Sequence, residues 1–591
     1  MKRSALALVA VVALATTGLA ATLDTPLISA VRVGDLKAVK AVLARRVDVN
    51  APAPDGMTAL HWAAQGDQPA IVDALIAAGA KARAVTNYGI EPLSLAAGLG
   101  NAPIIDRLLK AGADANIAMA TGETPLMQAA RNGNADAVKV LLAHGAKVDT
   151  KEKSRGQTAL MWAAVEGNVP AIKILTEAGA EVNAHSNIRA KKPQPKSEYA
   201  ARTGTASGKV SEEPERLGGD GKPVVASAEP AKLGGDGKPK VYGDPSDDEA
   251  DINRGNNPLV LKKVYPKGRD ISVQSYGTRT ITEGLTPLLF AARAGHFDAV
   301  KVLLEAGAKI DEPASDGTTP LYIAIVNGQF EMAAYLLDRG ANPNANGRGI
   351  TPLQQLVVTR RLHDGHLPHP PQAGRVTSLE LAKQLVTKGA DINARMTVPG
   401  MGDGYRNRLN RTGATAFLLA AKGIDPEMMK LLVSMGADPK IPNVENTNAI
   451  LVAAGVDQFN PGEDAGTEQE SLEAVKYCLS LGLDVNSIDD NGETALHGTA
   501  YKGFNLVAQY LVEQGAKLDT RNILGWTPLT IANGVMYSNF YKSQRHTAAL
   551  LVKLMKDRGI EASDALDVTG NGYVKDVKAT KEIAVPVVQK K

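Results

Sequence analysis

A unit of about 33 residues returns along almost the whole chain, and no other feature limits the possible folds so strongly. Its marker, Thr-Pro-Leu or Thr-Ala-Leu in the clearest copies, falls at Thr25, Thr58, Thr124, Thr158, Thr286, Thr319, Thr351, Thr415, Thr494 and Thr527, with Glu91 and Asn448 in the same slot of two divergent copies. Thr58 to Glu91, Glu91 to Thr124, Thr286 to Thr319 and Thr494 to Thr527 are each 33 residues apart. An independent ruler keeps the same beat: a Gly-Ala pair at Gly79, Gly112, Gly145, Gly179, Gly307, Gly340, Gly389, Gly436 and Gly515, with Gly482 and Gly559 followed by other residues. A period of this length belongs to stacked units, each too small to bury its own apolar face.

The copy from Gly122 to Asp149 shows what one unit builds. Thr124 predicts an N-cap and Pro125 the first helical position, where a missing N–H costs nothing. Leu126, Ala129 and Ala130 give that helix a small apolar face, and Gly133 ends it. Ala137, Val138, Val140, Leu141 and Leu142 predict a second helix that stops at Gly145, a residue suited to the left-handed C′ position, followed by a polar turn.

Thr58-Ala59-Leu60-His61-Trp62-Ala63-Ala64, repeated as Thr494-Ala495-Leu496-His497, resembles the signature of the ankyrin-repeat family, and the period agrees. The resemblance implies an all-α solenoid of about 12 helix-turn-helix repeats with short β-hairpin fingers, running from Thr25 to about Ile560. It also implies that His61 and His497 tie turns together by hydrogen bonds. The first copy, with Arg46 in the glycine slot, and the copy beginning Asn448-Ala449-Ile450 depart from the pattern.

Length bounds less than usual here, because 591 residues in a solenoid need no larger central core. Aromatic residues are only 4%, in keeping with helices packed through Leu, Val and Ala, and a formal charge of +3 does not imply a nucleic-acid partner. Residues 1–21 read as a secretory signal peptide: Lys2 and Arg3, an apolar run from Ala5 to Thr17, then Gly18-Leu19-Ala20 as a small-x-small cleavage site. Export to the periplasm of a bacterium is expected, with secretion as the other possibility. The single cysteine, Cys478, lies in a repeat helix and reads as a small buried hydrophobe.

Repeats occupy 22–187 (about five) and 283–562 (about seven), separated by a Pro-, Gly- and charge-rich insert over 188–282 and followed by a polar tail over 563–591. The insert cannot make a core and is expected to be flexible. Smaller insertions fall at 359–376, 396–412, 457–469 and 534–546. The first holds His363, His366 and His369, a spacing that invites a metal; the competing reading is a Pro-rich loop between two helices. The second places Arg395, Arg406, Arg408 and Arg411 around Tyr405, a patch able to hold carboxylate or phosphate groups. In the tail, Asp567, Thr569, Asn571 and Gly572 follow a calcium-loop spacing, but Lys578 stands where a carboxylate should close the site.

No nucleophile elbow, Walker loop or metalloprotease motif occurs, so neither a catalytic residue, a cofactor nor a metal is expected. The resemblance implies a groove formed by finger tips and first helices. Position by position it nominates Asp55, Met57 and Gln65; Tyr88 and Leu99; Glu123, Arg131 and Asn132; Gln157, Val165 and Glu166; Arg293; Thr318 and Asn327; Tyr501, Lys502 and Trp526, to which the insertion adds Tyr405, Arg406 and Arg408. Side chains free of packing duty at these slots suit a protein partner. The expected function is a non-enzymatic protein-binding scaffold of the bacterial envelope, monomeric, without nucleic acid and without stable membrane insertion once the signal is cleaved. Two rivals are a metal-dependent or glycan-active envelope enzyme built on the His363 to His369 loop and the Arg395 to Arg411 insertion, and a secreted host-directed effector.

Overall fold

A computed structural model describes residues 25–187, 283–361, 374–397, 409–457, 466–537, 540–562, 568–569 and 573–574. The expected signal peptide, the 188–282 insert and the histidines of the 359–376 insertion lie outside them.

The described residues form 24 helices in twelve antiparallel pairs, one pair per repeat. First helices run Pro26–Val33, Ala59–Gln65, Pro92–Leu99, Pro125–Asn132, Ala159–Glu166, Pro287–Ala294, Pro320–Val326, Pro352–Arg361, Ala416–Lys422, Ala449–Ala453, Ala495–Lys502 and Pro528–Asn533. Second helices run Leu36–Leu43, Pro69–Ala77, Ala102–Lys110, Ala135–Ala143, Val169–Glu177, Phe297–Glu305, Phe330–Asp338, Ser378–Thr387, Pro426–Ser434, Glu468–Ser480, Asn505–Glu513 and Arg545–Lys556. Ten of the twelve first helices follow a marker threonine, which caps for the expected reason at Thr124, whose Oγ1 accepts from the Met127 N–H, and at Thr286, whose Oγ1 accepts from the Leu289 N–H; Glu91 and Asn448 precede the other two. At Gly133 the backbone turns left-handed (φ 85°), and a Cβ there would meet Asn168 Oδ1 at 2.5 Å, so only glycine ends this helix without strain.

Alanine pairs such as Ala63–Ala64, Ala129–Ala130, Ala163–Ala164 and Ala291–Ala292 are fully buried between successive first helices, where small side chains let backbones approach closely. Leu60, Leu93, Leu126, Leu160, Leu288 and Leu321 fill the space between the helices of a pair. The break at 188–282 does not interrupt the stack. The first helices Ala159–Glu166 and Pro287–Ala294 pack together, as do the second helices Val169–Glu177 and Phe297–Glu305. Across the same joint His296 Nε2 bonds the Val165 carbonyl at 2.9 Å and the Ser186 N–H donates to the Leu285 carbonyl at 3.0 Å.

A second ladder, which the polar turns of the sequence do not advertise, ties repeat to repeat. Asn50 Nδ2 donates to the Gly79 carbonyl while its Oδ1 accepts from the Lys81 N–H. Asn116, Asn183, Asn344, Asn393 and Asn486 make the same two bonds to the next repeat. Each satisfies a carbonyl orphaned at a helix end. Among the described residues, paired strands occur in the 534–546 insertion (Val535–Tyr537 with Phe540–Lys542) and in the tail (Val568–Thr569 with Tyr573–Val574). No helix among the described residues is long and apolar enough to cross a membrane.

Candidate functional site

Fingers between repeats are tight turns closed by one backbone bond each. The Thr86 N–H donates to the Ile90 carbonyl, the Met119 N–H to that of Glu123, the Glu152 N–H to that of Gln157 and the Asn522 N–H to that of Trp526. Neighbouring fingers are stitched by a second bond, from the Asn87 N–H to the Asp55 carbonyl at 3.0 Å and from the Lys153 N–H to the Thr121 carbonyl at 2.9 Å. The signature histidines fasten these turns from below. His61 Nδ1 accepts from the Thr58 N–H at 3.1 Å and Nε2 reaches the Ile90 carbonyl at 3.0 Å; His497 does the same with Thr494 and the Trp526 carbonyl. Burial lowers the pKa of both, that of His497 to about 4, so each ring is neutral with its proton on Nε2. Gln354 replaces the histidine in repeat eight, its Oε1 accepting from the Thr351 N–H and its Nε2 donating to the Ala394 and Ala414 carbonyls.

Slots seven and eight residues after the marker differ sharply along the stack. In repeats two to five Gln65, Leu99, Arg131, Asn132 and Glu166 are exposed and Val165 half-buried, and the finger residue Tyr88 is 76% exposed. Met57, Glu123 and Gln157, one residue before the marker, are half-buried; Asp55 is exposed, with its carboxylate holding the Met57 N–H. Arg293 and Asn327 are half-buried and bonded to each other, Asn327 Nδ2 donating to the Arg293 carbonyl.

Three nominated residues are not groove-facing. Thr318 is fully buried because the fingers of repeats seven and eight press together: a Cβ on Gly317 would meet the Gly347 backbone at 2.5 Å. Tyr501 and Lys502 are each 6% exposed. The chain leaving the short helix Ala449–Ala453 runs over them, so that a Cβ on Gly455 would meet Lys502 Cγ at 2.5 Å, and Gln544 caps the Tyr501 carbonyl from the other side. The same stretch buries Lys422, whose Nζ donates to the Asp457 carbonyl at 2.6 Å. Trp526 is half-buried and serves its own finger, its N–H donating to Asn522 Oδ1. Tyr405, Arg406 and Arg408 lie outside the described residues.

Aromatic–guanidinium pairs are the feature of this face that sequence reasoning misses. Arg32 lies over Trp62 (4.6 Å to the ring centroid) and Arg131 over Trp162 (5.3 Å), each arginine in one repeat covering the tryptophan of the next. Arg293 lies over Phe290 at 5.1 Å, and Arg348 over Tyr322 at 5.9 Å. Burial pushes the Tyr322 phenol up to about 12, and its hydroxyl donates to Gln355 Oε1 at 2.7 Å. A signal exists: Trp62 and Trp162 both stand four residues after their marker, and Arg32 and Arg131 both stand seven after the marker one repeat earlier. Leu95, Ile323 and Leu419 occupy the tryptophan slot elsewhere. Each tryptophan also leaves its indole N–H buried without a partner among the described residues, a cost of about 1–3 kcal/mol that an aliphatic side chain avoids. Packing alone therefore does not account for tryptophan at this slot.

Burial, reinforced by the neighbouring Arg155 guanidinium, lowers the pKa of Arg293, which marks a half-buried positive junction between repeats five and six. Cys478 is fully buried and its thiol pushed up by burial, which makes it a packing residue and not a nucleophile.

The sequence matches a family model described as ankyrin repeats (3 copies) over residues 10–86, 93–186, 251–347 and 465–541, more than half of the chain. It is also similar to neurogenic locus notch homolog protein 1 of Xenopus tropicalis, 33% identical over 196 residues, and to mitochondrial disaggregase of Homo sapiens, 25% identical over 183 residues. The alignments take in 30% and 27% of this chain and only 8% and 24% of those two proteins.

Proposed function

The chain belongs to the ankyrin-repeat family, a family of protein-interaction modules, and from that premise we propose that it is a non-enzymatic scaffold of the bacterial envelope. It binds a protein partner through the first-helix and finger slots of repeats two to five. The observation that carries this reading is the run of exposed, chemically varied side chains, Gln65, Tyr88, Leu99, Arg131, Asn132 and Glu166, on slots that recur with the repeat. Residues 1–21 direct export, and the exported chain acts as a monomer without nucleic acid, metal or cofactor. The partial matches to notch and to a disaggregase lend the repeats alone and no activity.

The test is affinity capture from envelope and culture-medium fractions with the chain lacking residues 1–21, beside a Tyr88→Ala, Leu99→Ala variant. A protein retained by the wild type and released by the variant is the expected result; capture indifferent to the variant would remove the groove from the reading. Fusing residues 1–21 to a reporter enzyme active only outside the cytoplasm tests export, and a silent reporter would overturn the envelope assignment.

A further inference from the structure

Asparagine followed by glycine is a chemically labile pair, because a glycine nitrogen with no Cβ beside it can approach the asparagine side-chain carbonyl. The pair begins at Asn132, Asn327, Asn346, Asn491, Asn533 and Asn571, and all but the last lie among the described residues. The fold treats these five differently.

Four are guarded. The Gly133 N–H donates to the Ala129 carbonyl at 3.0 Å while Asn132 Nδ2 donates to the Gly98 carbonyl at 3.2 Å. The Gly328 N–H donates to the Ile325 carbonyl at 3.0 Å, and Asn327 Nδ2 to the Arg293 carbonyl at 3.2 Å. In the finger before repeat eleven the Gly492 N–H donates to the Asp489 carbonyl at 2.9 Å, and Asn491 Nδ2 to the Asp489 carboxylate at 3.4 Å. The Gly534 N–H is shared between the Thr530 and Ile531 carbonyls. Asn346, in the finger before repeat eight, is the exception. Asn346 and Gly347 are both exposed, and neither the Asn346 side-chain amide nor the Gly347 N–H makes a hydrogen bond among the described residues. A backbone N–H that is already donating keeps its proton from solvent base until the bond opens, as in hydrogen exchange, and a nitrogen that keeps its proton cannot attack. Only the Gly347 nitrogen is spared that step.

We propose that Asn346 is a site of deamidation in the folded protein, and that the other four described pairs are protected by their hydrogen bonds. The Gly347 nitrogen gives its proton to solvent and attacks Cγ of Asn346; the new C–N bond closes a five-membered imide, the bond to the side-chain nitrogen breaks, and that nitrogen takes a proton from water and leaves as ammonia. Water then opens the imide at one carbonyl to give aspartate, or at the other to give isoaspartate, whose main chain runs through the former side chain. Either product sets a carboxylate beside Arg348, whose guanidinium lies 3.7 Å from Asp316. Isoaspartate also displaces the Asn346 carbonyl, which accepts from the Gly349 N–H at 3.0 Å and closes this finger. The Gly349 carbonyl in turn accepts from the Thr397 N–H at 3.0 Å, so the change falls on the seam that leads toward repeat nine. The site is independent of the protein-binding reading above.

The experiment incubates the full chain in mildly alkaline buffer, folded and in urea, and follows each pair by peptide mass spectrometry with fragmentation that separates aspartate from isoaspartate. In the folded chain Asn346 converts more than about tenfold faster than Asn132, Asn327, Asn491 or Asn533, the factor set by the hydrogen bonds that must first open at the guarded pairs. In urea that advantage disappears, and the five convert within about threefold of one another. Asn346→Gln, whose longer side chain would have to close a six-membered ring, abolishes conversion at that position and leaves the other four rates unchanged. Equal conversion at a guarded pair in the folded chain, or an Asn346 that stays intact there while converting in urea, overturns the proposal.

Discussion

Repeats two to five and repeats nine to eleven are built on one sequence pattern and present opposite surfaces. In the first group the slots seven and eight after the marker hold Gln65, Leu99, Arg131, Asn132 and Glu166, all exposed; in the second they hold Lys422, Gly423, Tyr501 and Lys502, all buried. The cause lies between the helices of a repeat. A regular repeat turns from first to second helix in two residues, as at Gly133–Asn134, whereas repeat ten spends 454–467 on the same connection and lays part of it across the ends of its neighbours' first helices. Repeats eight to ten also share an ionic node around the buried Asp425. Arg360 donates to Asp425 at 2.6 Å, to Glu427 and to Ser378, while Arg361 donates to Glu470 at 2.8 Å and to the Ile424 carbonyl. An insertion that looks like a spacer in sequence thus decides whether a repeat offers a binding face.

The largest effect should come from breaking that node. Asp425 is 1% exposed and also caps its helix through the Met428 N–H, so Asp425→Ala leaves the Arg360 guanidinium largely desolvated with its principal partner gone. A loss of about 3–5 kcal/mol is expected. It should appear in hydrogen exchange as faster opening of repeats eight to ten, with repeats two to five unchanged. Equal loosening at both ends would mean that the two regions do not differ in the way proposed.

Acid should separate them next. The folded pKa of His497, about 4, lies below its ordinary value of 6.5, so between those pH values the unfolded chain binds more protons than the folded one. Stability contributed by the neutral ring is complete above 6.5 and is lost as pH falls toward 4, on the order of 3 kcal/mol in all. Asp489, whose pKa burial raises to about 6, works in the opposite direction over much the same range and offsets most of that slope. The histidine's share is therefore read as a difference: followed by residue-resolved exchange, His497→Gln, which copies the arrangement at Gln354, should lose less protection in repeat eleven on acidification than the wild type does. An identical acid response in the two proteins would contradict the neutral, buried ring.

How far the sequence carries is visible in these same residues. The helix pairs were legible because Thr caps, Ala pairs and terminating glycines act within a few residues, and the histidine stitches because their motif is local too. Exposure of the groove was not. Whether slot seven faces water depends on a connection from another repeat, and nothing near Tyr501 in sequence announces that residues around Gly455 cover it. The arginine–tryptophan pairs stood midway: their spacing is regular, but the partners lie in adjacent repeats and show only when the register of one copy is laid on the next.

A smaller effect tests what the two regions share. Asn116 and Asn486 make matching pairs of bonds to the following repeat, at Gly145 and Lys147 and at Gly515 and Lys517. Both sit at the surface, so replacement by alanine should cost about 1 kcal/mol in either place, read from urea denaturation. A loss confined to one of the two would make this ladder a regional feature.

The smallest expected change is a gain, at the entry to the open face. Arg46 occupies the slot that Gly145 fills in repeat four and adopts the same left-handed backbone, φ 59° against 83°, with the same bond from its N–H to a carbonyl three residues earlier. A side chain in that region carries strain that glycine does not, and Arg46 is exposed, so little packing is lost by removing it. Glycine adds freedom to the unfolded chain, which offsets part of the gain. Arg46→Gly should therefore stabilise the first repeat by roughly 0.5–1 kcal/mol. The measurement is exchange protection in Pro26–Val33 and Leu36–Leu43. Slower exchange there, with repeats nine to eleven untouched, would place the strain at Arg46; faster exchange would mean that the arginine side chain holds the first repeat down by contacts worth more than the strain it imposes.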